Sequence, residues 1–284
     1  MPIAYVNGSN IKYDQYYGEK KTNQEGKTKH VLFIHGLGSS SIAWRDIPEA
    51  LSNISTIKNE YFHTIAVDLI GFGGSDKPQT VNYTIEGLSK FIVDFIEEEE
   101  IGIKKNDKIT IVGHSLGGYI AAEVAIENKD RIEKLALIDS SGMLKQPTQL
   151  LNQYLEAAME PEPKKDKVKK VFEQMYANPR LLLDIVVDIF IGTIGEQGAK
   201  RAFKTAFDDS TTRPIEPERL KQIRDIPCLI IWGKQDNLIP SNYSNQFKEV
   251  FNDVSLEIIK DAGHAPFVEK TALVYEKLRT FLTR

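Results

Sequence analysis

Short runs of Val, Ile and Leu recur along this chain, and segments with helical spacing of apolar residues separate them. Runs that are apolar at nearly every position are typical of strands buried on both faces of a parallel sheet. The predicted strands are 31–34, 64–67, 109–112, 134–138, 228–232 and 256–259. The predicted helices are 44–52, 84–99, 116–128, 241–251 and 269–282. This alternation predicts an α/β domain with helices on both faces of the sheet.

Residues 3–17 instead alternate between apolar and polar positions, which is typical of strands with one buried face. The pair Asn7-Gly8 interrupts this alternation. Because Asn-Gly is a strong signal for a two-residue hairpin, we expect two antiparallel strands here. Together with the apolar runs, they predict a mostly parallel sheet of eight strands.

The interval between Ser140 and Pro227 contains no strand-like run. A crossover between parallel strands needs only about a dozen residues, so we expect an insertion after the sixth strand. Its predicted helices are 149–159, 168–176, 181–191 and 198–207, with breaks at Pro161, Pro163, Pro179 and Pro214. The sequence therefore predicts a helical cap, or lid, at 141–214 and a core formed by 1–140 and 215–284.

One predicted cap helix, 181–191, is polar only at Asp184 and Asp188. These positions share one face because they lie four residues apart, and the rest of the helix is apolar nearly all round. We expect such a helix to pack against the core or to line an apolar pocket. The neighbouring basic run 164–170 is interpreted as the solvent face of the cap, with a membrane-surface patch as the alternative.

The most specific motif lies between the predicted strand 109–112 and the helix that follows it. Residues 113–118 read Gly-His-Ser-Leu-Gly-Gly, which matches G-x-S-x-G. A tight strand-to-helix turn of this kind exposes the serine hydroxyl at the edge of the sheet, above the N-terminus of the helix. Ser115 is therefore the predicted nucleophile of a serine hydrolase.

A serine nucleophile needs a hydrogen-bonded base, and the base needs an orienting carboxylate. His264 is the predicted base, because it follows the carboxyl end of a predicted strand on a loop that contains Gly263. His30 and His63 precede apolar strands, at the end of the sheet opposite to the loops that carry catalytic residues. His114 lies inside the serine motif, and we expect it to point away from the approach to the nucleophile.

Asp236 is the predicted carboxylate, since it also follows the carboxyl end of a strand. The resulting chain order of serine, aspartate and histidine is the order of the α/β-hydrolase arrangement. Asp139 competes for this role, because it directly follows the predicted strand 134–138. We expect Asp68 and Asp76 to cap turns instead.

Acyl transfer also needs N–H donors directed at the developing oxyanion. The backbone N–H of Leu116, directly after the serine, is one predicted donor. The second is expected from the loop His35-Gly36-Leu37-Gly38, where the backbone N–H of Leu37 is the predicted donor. His35 is expected to brace this loop.

These motifs together resemble those of the α/β-hydrolase superfamily, from about residue 31 to residue 281. The matching segments, in order, are 35–38, 68–76, 113–118, 232–236 and 263–264. The resemblance implies a capped carboxylesterase-like serine hydrolase that acts on short-to-medium apolar esters through an acyl-enzyme. Haloalkane dehalogenases and epoxide hydrolases are similar overall but carry an aspartate at the elbow, so Ser115 argues against both.

Two other functions stay open. A carbon–carbon bond hydrolase of aromatic ring-cleavage products, or a lactonase, is similar in pattern. The former would need a cation for the substrate carboxylate, for which Arg45 and Arg180 are candidates. A non-enzymatic small-molecule receptor could use the same scaffold, since a fold does not fix a function. An intact set of catalytic motifs favours the enzyme.

Composition narrows the class of partner. The 284 residues carry a net charge of −4, which does not suggest a nucleic-acid-binding protein. We expect no metal and no organic cofactor, because triad chemistry needs neither. The single cysteine, Cys228, lies in an apolar run and is expected in the core. We see no signal peptide and no stable membrane insertion, so the protein is expected in the cytoplasm, with its oligomeric state open.

Overall fold

A central sheet of eight strands organises the computed structural model, which describes residues 2–18, 26–54 and 60–284. Neighbouring strands follow the order β1-β2-β4-β3-β5-β6-β7-β8. The strands are β1 Ile3–Val6, β2 Ser9–Tyr17, β3 Lys27–Ile34, β4 Glu60–Val67, β5 Ile109–His114, β6 Ile132–Ile138, β7 Cys228–Gly233 and β8 Val254–Ile259. The first two strands pair antiparallel, β2 pairs antiparallel with β4, and all later pairs are parallel. The predicted mostly parallel sheet is confirmed.

Helices cover both faces of this sheet. In chain order they are α1 Ile47–Ser52, α2 Ile85–Glu97, α3 Leu116–Glu127, α4 Gln149–Met159, α5 Lys165–Met175, α6 Asp184–Gly195, α7 Ala199–Thr212, α8 Pro217–Leu220, α9 Tyr243–Lys248, α10 Pro266–Glu269 and α11 Thr271–Thr283. Short 3-10 turns lie at Ser41–Trp44, Glu99–Ile101, Lys129–Arg131, Pro179–Leu181 and Lys221–Ile223. One apolar core packs α2, α3 and the insertion helices against one face, and a second packs α1 and α11 against the other.

The insertion after β6 is helical, as the sequence predicts, and comprises α4 to α7. Thr148 caps α4 by accepting a hydrogen bond from the N–H of Leu151 at 3.2 Å. The apolar segment around α6 begins later than predicted, because Pro179–Leu181 forms a separate 3-10 turn. That residues 141–214 act as a cap domain distinct from 1–140 and 215–284 stays a prediction.

Local differences from the sequence prediction have local causes. The predicted helix 44–52 is divided, because Arg45 has a left-handed φ of 51° that ends the 3-10 turn before α1 begins. Strand β3 begins at Lys27, before its apolar run, since its polar first half pairs in register with the start of β4. Cys228 is buried at the start of β7, as predicted.

The strand order places a crevice where the site is expected. Because β3 lies between β4 and β5, the loops that follow β3 and β5 leave the sheet side by side at its carboxyl edge. Ile34 at the end of β3 pairs with Gly113 near the end of β5. Ligands of open α/β sheets bind outside the carboxyl ends of strands at such a switch point.

Candidate active site

Ser115 occupies a strained turn between β5 and α3. Its φ of 53° and ψ of −118° lie outside the regions that L-residues normally adopt, and such strain is typical of functional turns. The backbone holds the turn in place: the N–H of Ser115 donates to the carbonyl of Ile138 at 3.0 Å, and its carbonyl accepts from the N–H of Ser141 at 3.0 Å. The serine is thereby fixed at the carboxyl edge of the sheet, above the first turn of α3.

His264 and Asp236 lie on the loops that follow β8 and β7, and they are hydrogen-bonded to each other. The distance from His264 Nδ1 to Asp236 Oδ2 is 2.8 Å, and both side chains are buried. The other carboxylate oxygen, Oδ1, accepts from the N–H groups of Leu238 at 2.8 Å and Ile239 at 2.9 Å. With Nδ1 donating to the carboxylate, Nε2 is the basic nitrogen of the ring.

Ser115 and His264 line the same cavity. Within residues 2–18, 26–54 and 60–284, no direct hydrogen bond joins the Ser115 hydroxyl to the imidazole. Catalytic hydrogen bonds are often long in a free enzyme and tighten when substrate binds. The structure therefore brings the predicted serine, histidine and aspartate to one rim of the sheet, with the histidine–aspartate pair already formed.

The loop that carries His264 is held from two sides. The N–H of His264 donates to the carbonyl of Met175, at the end of α5, at 2.7 Å. The Glu269 carboxylate accepts from the N–H of Gly263 at 2.6 Å and from the N–H of Asn178 at 3.1 Å. These bonds tie the imidazole loop to the insertion and to α10, so they fix the position of the ring.

The predicted oxyanion-hole residues, Leu37 and Leu116, both line the cavity beside Ser115. The loop after β3 approaches the serine so closely that a Cβ on Gly36 would lie 3.1 Å from the Cβ of Ser115. Glycine is the residue that fits at this distance. The Tyr154 hydroxyl donates to the carbonyl of Leu37 at 3.0 Å, which helps to fix this peptide. A donor role for the two N–H groups stays a prediction.

The cavity above these residues has a volume of about 370 Å³. Its walls are mainly apolar and include aromatic rings of the insertion, among them Tyr154, Phe172 and Phe190. Among the described lining residues, Arg45 is the only one that is Lys, Arg, Asp or Glu. A cavity with this lining favours neutral, apolar ligands over cationic ones.

Comparison with known proteins identifies the family. A family model described as "alpha/beta hydrolase fold" matches residues 29–271. The chain belongs to the α/β-hydrolase family. The chain is 26% identical over 282 residues to the uncharacterized hydrolase YugF of Bacillus subtilis (strain 168), covering 98% of this chain and 96% of that protein.

This α/β hydrolase is also similar to proteins with more specific names. Lipase 3 of Moraxella sp. (strain TA144) is 26% identical over 261 residues, covering 89% of this chain and 78% of the lipase. A meta-cleavage product hydrolase from Pseudomonas fluorescens IP01 has the same fold, with a TM-score of 0.82 and 20% identity over 99% of this chain and 97% of that one. No helix in the described ranges is both long and apolar enough to cross a lipid bilayer.

His114 lies beside His264 and contacts its backbone. The sequence predicts that His114 points away from the approach to the nucleophile; in the structure it lines the cavity, and its Nε2 lies 2.7 Å from the carbonyl oxygen of His264. Burial, with the His264 ring beside it, lowers the pKa of His114 well below the usual histidine value. His114 is thus an uncharged support for the imidazole loop. Only its place within the motif hinted at this contact.

Asp139, the competing acid, lies beside Asp236 and not on the imidazole ring. It is fully buried at the end of β6, and its Oδ1 accepts from the N–H of Gly233 at 2.9 Å. Burial and the neighbouring Asp236 carboxylate raise the pKa of Asp139 well above the usual aspartate value. The Nδ1–H of His264 therefore donates to Asp236 and not to Asp139.

In the described part of the chain, one group of side chains has the spacing of a metal site. Single ligand atoms of Asp139, Asp236 and His264 lie within 4.8 Å of one another. The Nδ1–Oδ2 hydrogen bond, however, already engages one atom from each of the last two residues. These atoms are accounted for as a hydrogen-bonded pair, and we do not assign them as metal ligands.

Proposed function

We propose that this hydrolase cleaves carboxylic esters with short-to-medium apolar groups through an acyl-enzyme. The observation that carries the proposal is the buried His264–Asp236 hydrogen bond beside Ser115, under an apolar cavity of about 370 Å³. The similarity to a protein named as a lipase supports ester chemistry. Residues 141–214 would act as the cap that supplies most of the apolar wall.

In this mechanism, His264 Nε2 accepts the hydroxyl proton of Ser115 while the serine oxygen attacks the ester carbonyl. The N–H groups of Leu37 and Leu116 would hold the oxyanion of the tetrahedral intermediate. Imidazolium then protonates the leaving alcohol, and Asp236 stabilises the imidazolium charge. A water molecule, deprotonated by His264, releases the acid in the same way. A lactone would react identically, with its alcohol still attached to the acyl group.

Inactivation and turnover test the nucleophile. Ser115→Ala should lower the turnover of p-nitrophenyl esters by about six orders of magnitude, as expected for loss of a nucleophile. An organophosphonate should label the wild type at Ser115, located by mass spectrometry of the peptides. Ser89→Ala is the matched control, because Ser89 is a buried serine whose hydroxyl donates to the carbonyl of Ile85 within α2. Labelling elsewhere, or full turnover by Ser115→Ala, would refute the assignment.

The choice of acid has its own test. Asp236→Asn should lower turnover by about 10⁴-fold, because an amide favours the wrong imidazole tautomer. Asp139→Asn should leave most of the turnover, since its amide can still accept from Gly233 and donate to Asp236. If Asp139→Asn proves the more damaging change, Asp236 is not the acid. Independently of the choice of acid, a chain-length series of p-nitrophenyl esters would define the acyl preference.

A second candidate, carbon–carbon bond hydrolysis of a ring-cleavage product, has one specific observation in its favour. Arg45 lines the cavity and could pair with a substrate carboxylate, whereas Arg180 is not among the lining residues. The solved structure of a meta-cleavage product hydrolase shares the fold. Arg45→Gln separates the two candidates. An ester hydrolase should turn over neutral esters at nearly the same rate with this change. If the wild type instead hydrolyses a ring-cleavage dienoate faster than esters, and Arg45→Gln loses that activity, carbon–carbon bond hydrolysis is favoured.

A further inference from the structure

Asp139 has a buried oxygen that lacks a hydrogen-bond partner. The residue is fully buried and has a left-handed φ of 42° at the end of β6. Its Oδ1 accepts from the N–H of Gly233, but Oδ2 has no partner in the described part of the chain. An unpaired buried carboxylate oxygen is costly, so the protein must compensate for it in another way.

The Asp236 carboxylate lies beside Asp139: one oxygen of each residue and one ring nitrogen of His264 all lie within 4.8 Å of one another. Two carboxylate oxygens are both acceptors, so a hydrogen bond between them requires that one carries a proton. Asp236 accepts from three donors, the N–H groups of Leu238 and Ile239 and the ring of His264. Asp139 accepts only from Gly233, and charge is more stable on the carboxylate that has more donors.

We propose that Asp139 is an un-ionised carboxylic acid in the folded protein, and that its Oδ2–H donates a hydrogen bond to the Asp236 carboxylate. This assignment gives the orphan oxygen a partner. It also avoids two adjacent negative charges in a buried site, where their repulsion would be large. The direction in which burial and Asp236 move the pKa of Asp139 agrees with it.

The other titratable groups close to Asp139 are Glu269 and the His264 ring. Glu269 on α10 is buried and accepts from two backbone N–H groups, so its negative charge also disfavours ionisation of Asp139. On the loop after β8, the His264 ring directs its Nδ1 to Asp236 and not to Asp139. Strand β7 contributes the N–H of Gly233. Asp139 Oδ1 accepts a hydrogen bond from it whether or not Asp139 is ionised.

This makes Asp139 a positioning residue that acts through Asp236, an inference that rests on the proposed function for its catalytic consequence. The acid's hydrogen bond withdraws charge from Asp236, so it weakens the attraction between Asp236 and the imidazolium. Removing that bond should stabilise the imidazolium, and the acid limb of the pH–rate profile should move to higher pH. The acid limb should move by about one pH unit or less, because only one hydrogen bond to Asp236 is lost.

Infrared difference spectra test the protonation state without using activity. At pH 8, wild type minus Asp139→Asn should show the carbonyl stretching band of an un-ionised carboxylic acid, with a shift in D₂O. The same band should appear on the Ser115→Ala background. Because spectra of that background need no turnover, a failure of the proposed ester chemistry would leave this result intact. Absence of the band would overturn the inference even in an active hydrolase.

The pH–rate profile tests the consequence. Asp139→Gly tolerates the left-handed φ but removes the donor, so its acid limb should move upward. Asp139→Asn keeps an N–H donor for Asp236 and should reproduce the wild-type profile. Identical profiles for wild type and Asp139→Gly would show that the acid does not act on Asp236. Should Asp139→Gly fail to fold, the infrared comparison with Asp139→Asn decides the matter.

Discussion

Two buried histidines that do not line the cavity should lower the stability of this protein in mild acid. His30 and His63 lie side by side in β3 and β4, with their Nδ1 atoms 3.0 Å apart. Both are buried, Tyr17 stacks on His63 with 4.1 Å between ring centroids, and Gln15 Oε1 lies 3.2 Å from His63 Nε2. Burial, reinforced by the adjacent His30, lowers the pKa of His63 to about 3.

The sign of the effect follows from which state binds the proton more tightly. An unfolded histidine has a pKa of about 6.5, so between pH 6.5 and 3 the unfolded chain is protonated at residue 63 while the folded one is not. The contribution of His63 to stability is therefore complete above pH 6.5 and is lost as the pH falls towards 3. At pH 5 the free energy of unfolding is lowered by about 2 kcal/mol, and the pKa of histidine in the unfolded chain sets almost all of this loss.

Urea unfolding at several pH values measures the contribution of His63 to stability. The free energy of unfolding of wild type should fall by about 2 kcal/mol more than that of His63→Gln between pH 7.5 and pH 5. Above pH 7 the two curves should run parallel, which serves as the internal control. Curves that stay parallel down to pH 5 would show that His63 is protonated in the folded state, and the reasoning from burial would be wrong.

Three further changes test packing at named positions, each by the free energy of urea unfolding. Gly38→Ala should cost about 1–3 kcal/mol, because Gly38 has a φ of 68° and its Cβ would lie 2.4 Å from the Tyr154 hydroxyl. Gly192→Ala in α6 is the opposite case: its Cβ meets nothing within 4 Å, so it should gain about 0.5–1 kcal/mol. Arg219→Ala should cost about 1–3 kcal/mol, since it leaves the buried Glu123 carboxylate without its two guanidinium hydrogen bonds of 3.0 and 2.7 Å.

Much of the fold is predictable here because burial on both faces leaves a strong local signal. Strands β5, β6 and β7, which are largely buried, coincide with apolar runs to within a few residues. The first half of β3 carries no such signal. Lys27–His30 is polar, and it forms a strand because β4 pairs with it and Lys29 forms ion pairs with Glu60 on β4 and Glu133 on β6.

The site was predictable in part for a topological reason. Parallel strands end at one edge, so residues that follow β5, β7 and β8 must lie near one another. The sequence does not predict the backbone conformation of the loops that carry these residues. The contact of Asp139 with Asp236 depends on a left-handed residue at the end of β6, and the His114 contact depends on the conformation of the His264 loop. Neither backbone conformation has a sequence pattern of its own.

The same loops show why the insertion matters beyond the shape of the cavity. Each of the three loops that carry the proposed machinery is hydrogen-bonded to it. Tyr154 donates to the carbonyl of Leu37 on the loop after β3 at 3.0 Å, and Thr148 donates to the carbonyl of Leu238 on the loop after β7 at 2.9 Å. The carbonyl of Met175 accepts from the N–H of His264 at 2.7 Å.

In the proposed mechanism, these three bonds connect the wall of the cavity to the loops that transfer the proton. A displacement of α4 or α5 that enlarged the cavity would also pull on the loops that hold the imidazole, its carboxylate and the predicted oxyanion donor. Since a misplacement of about 1 Å can cost a hundredfold in rate, the insertion has to be rigid at these contacts. Substitutions on α6, whose apolar side chains line the cavity, leave these bonds intact, whereas replacing Thr148 or Tyr154 by a residue without a hydroxyl removes a donor.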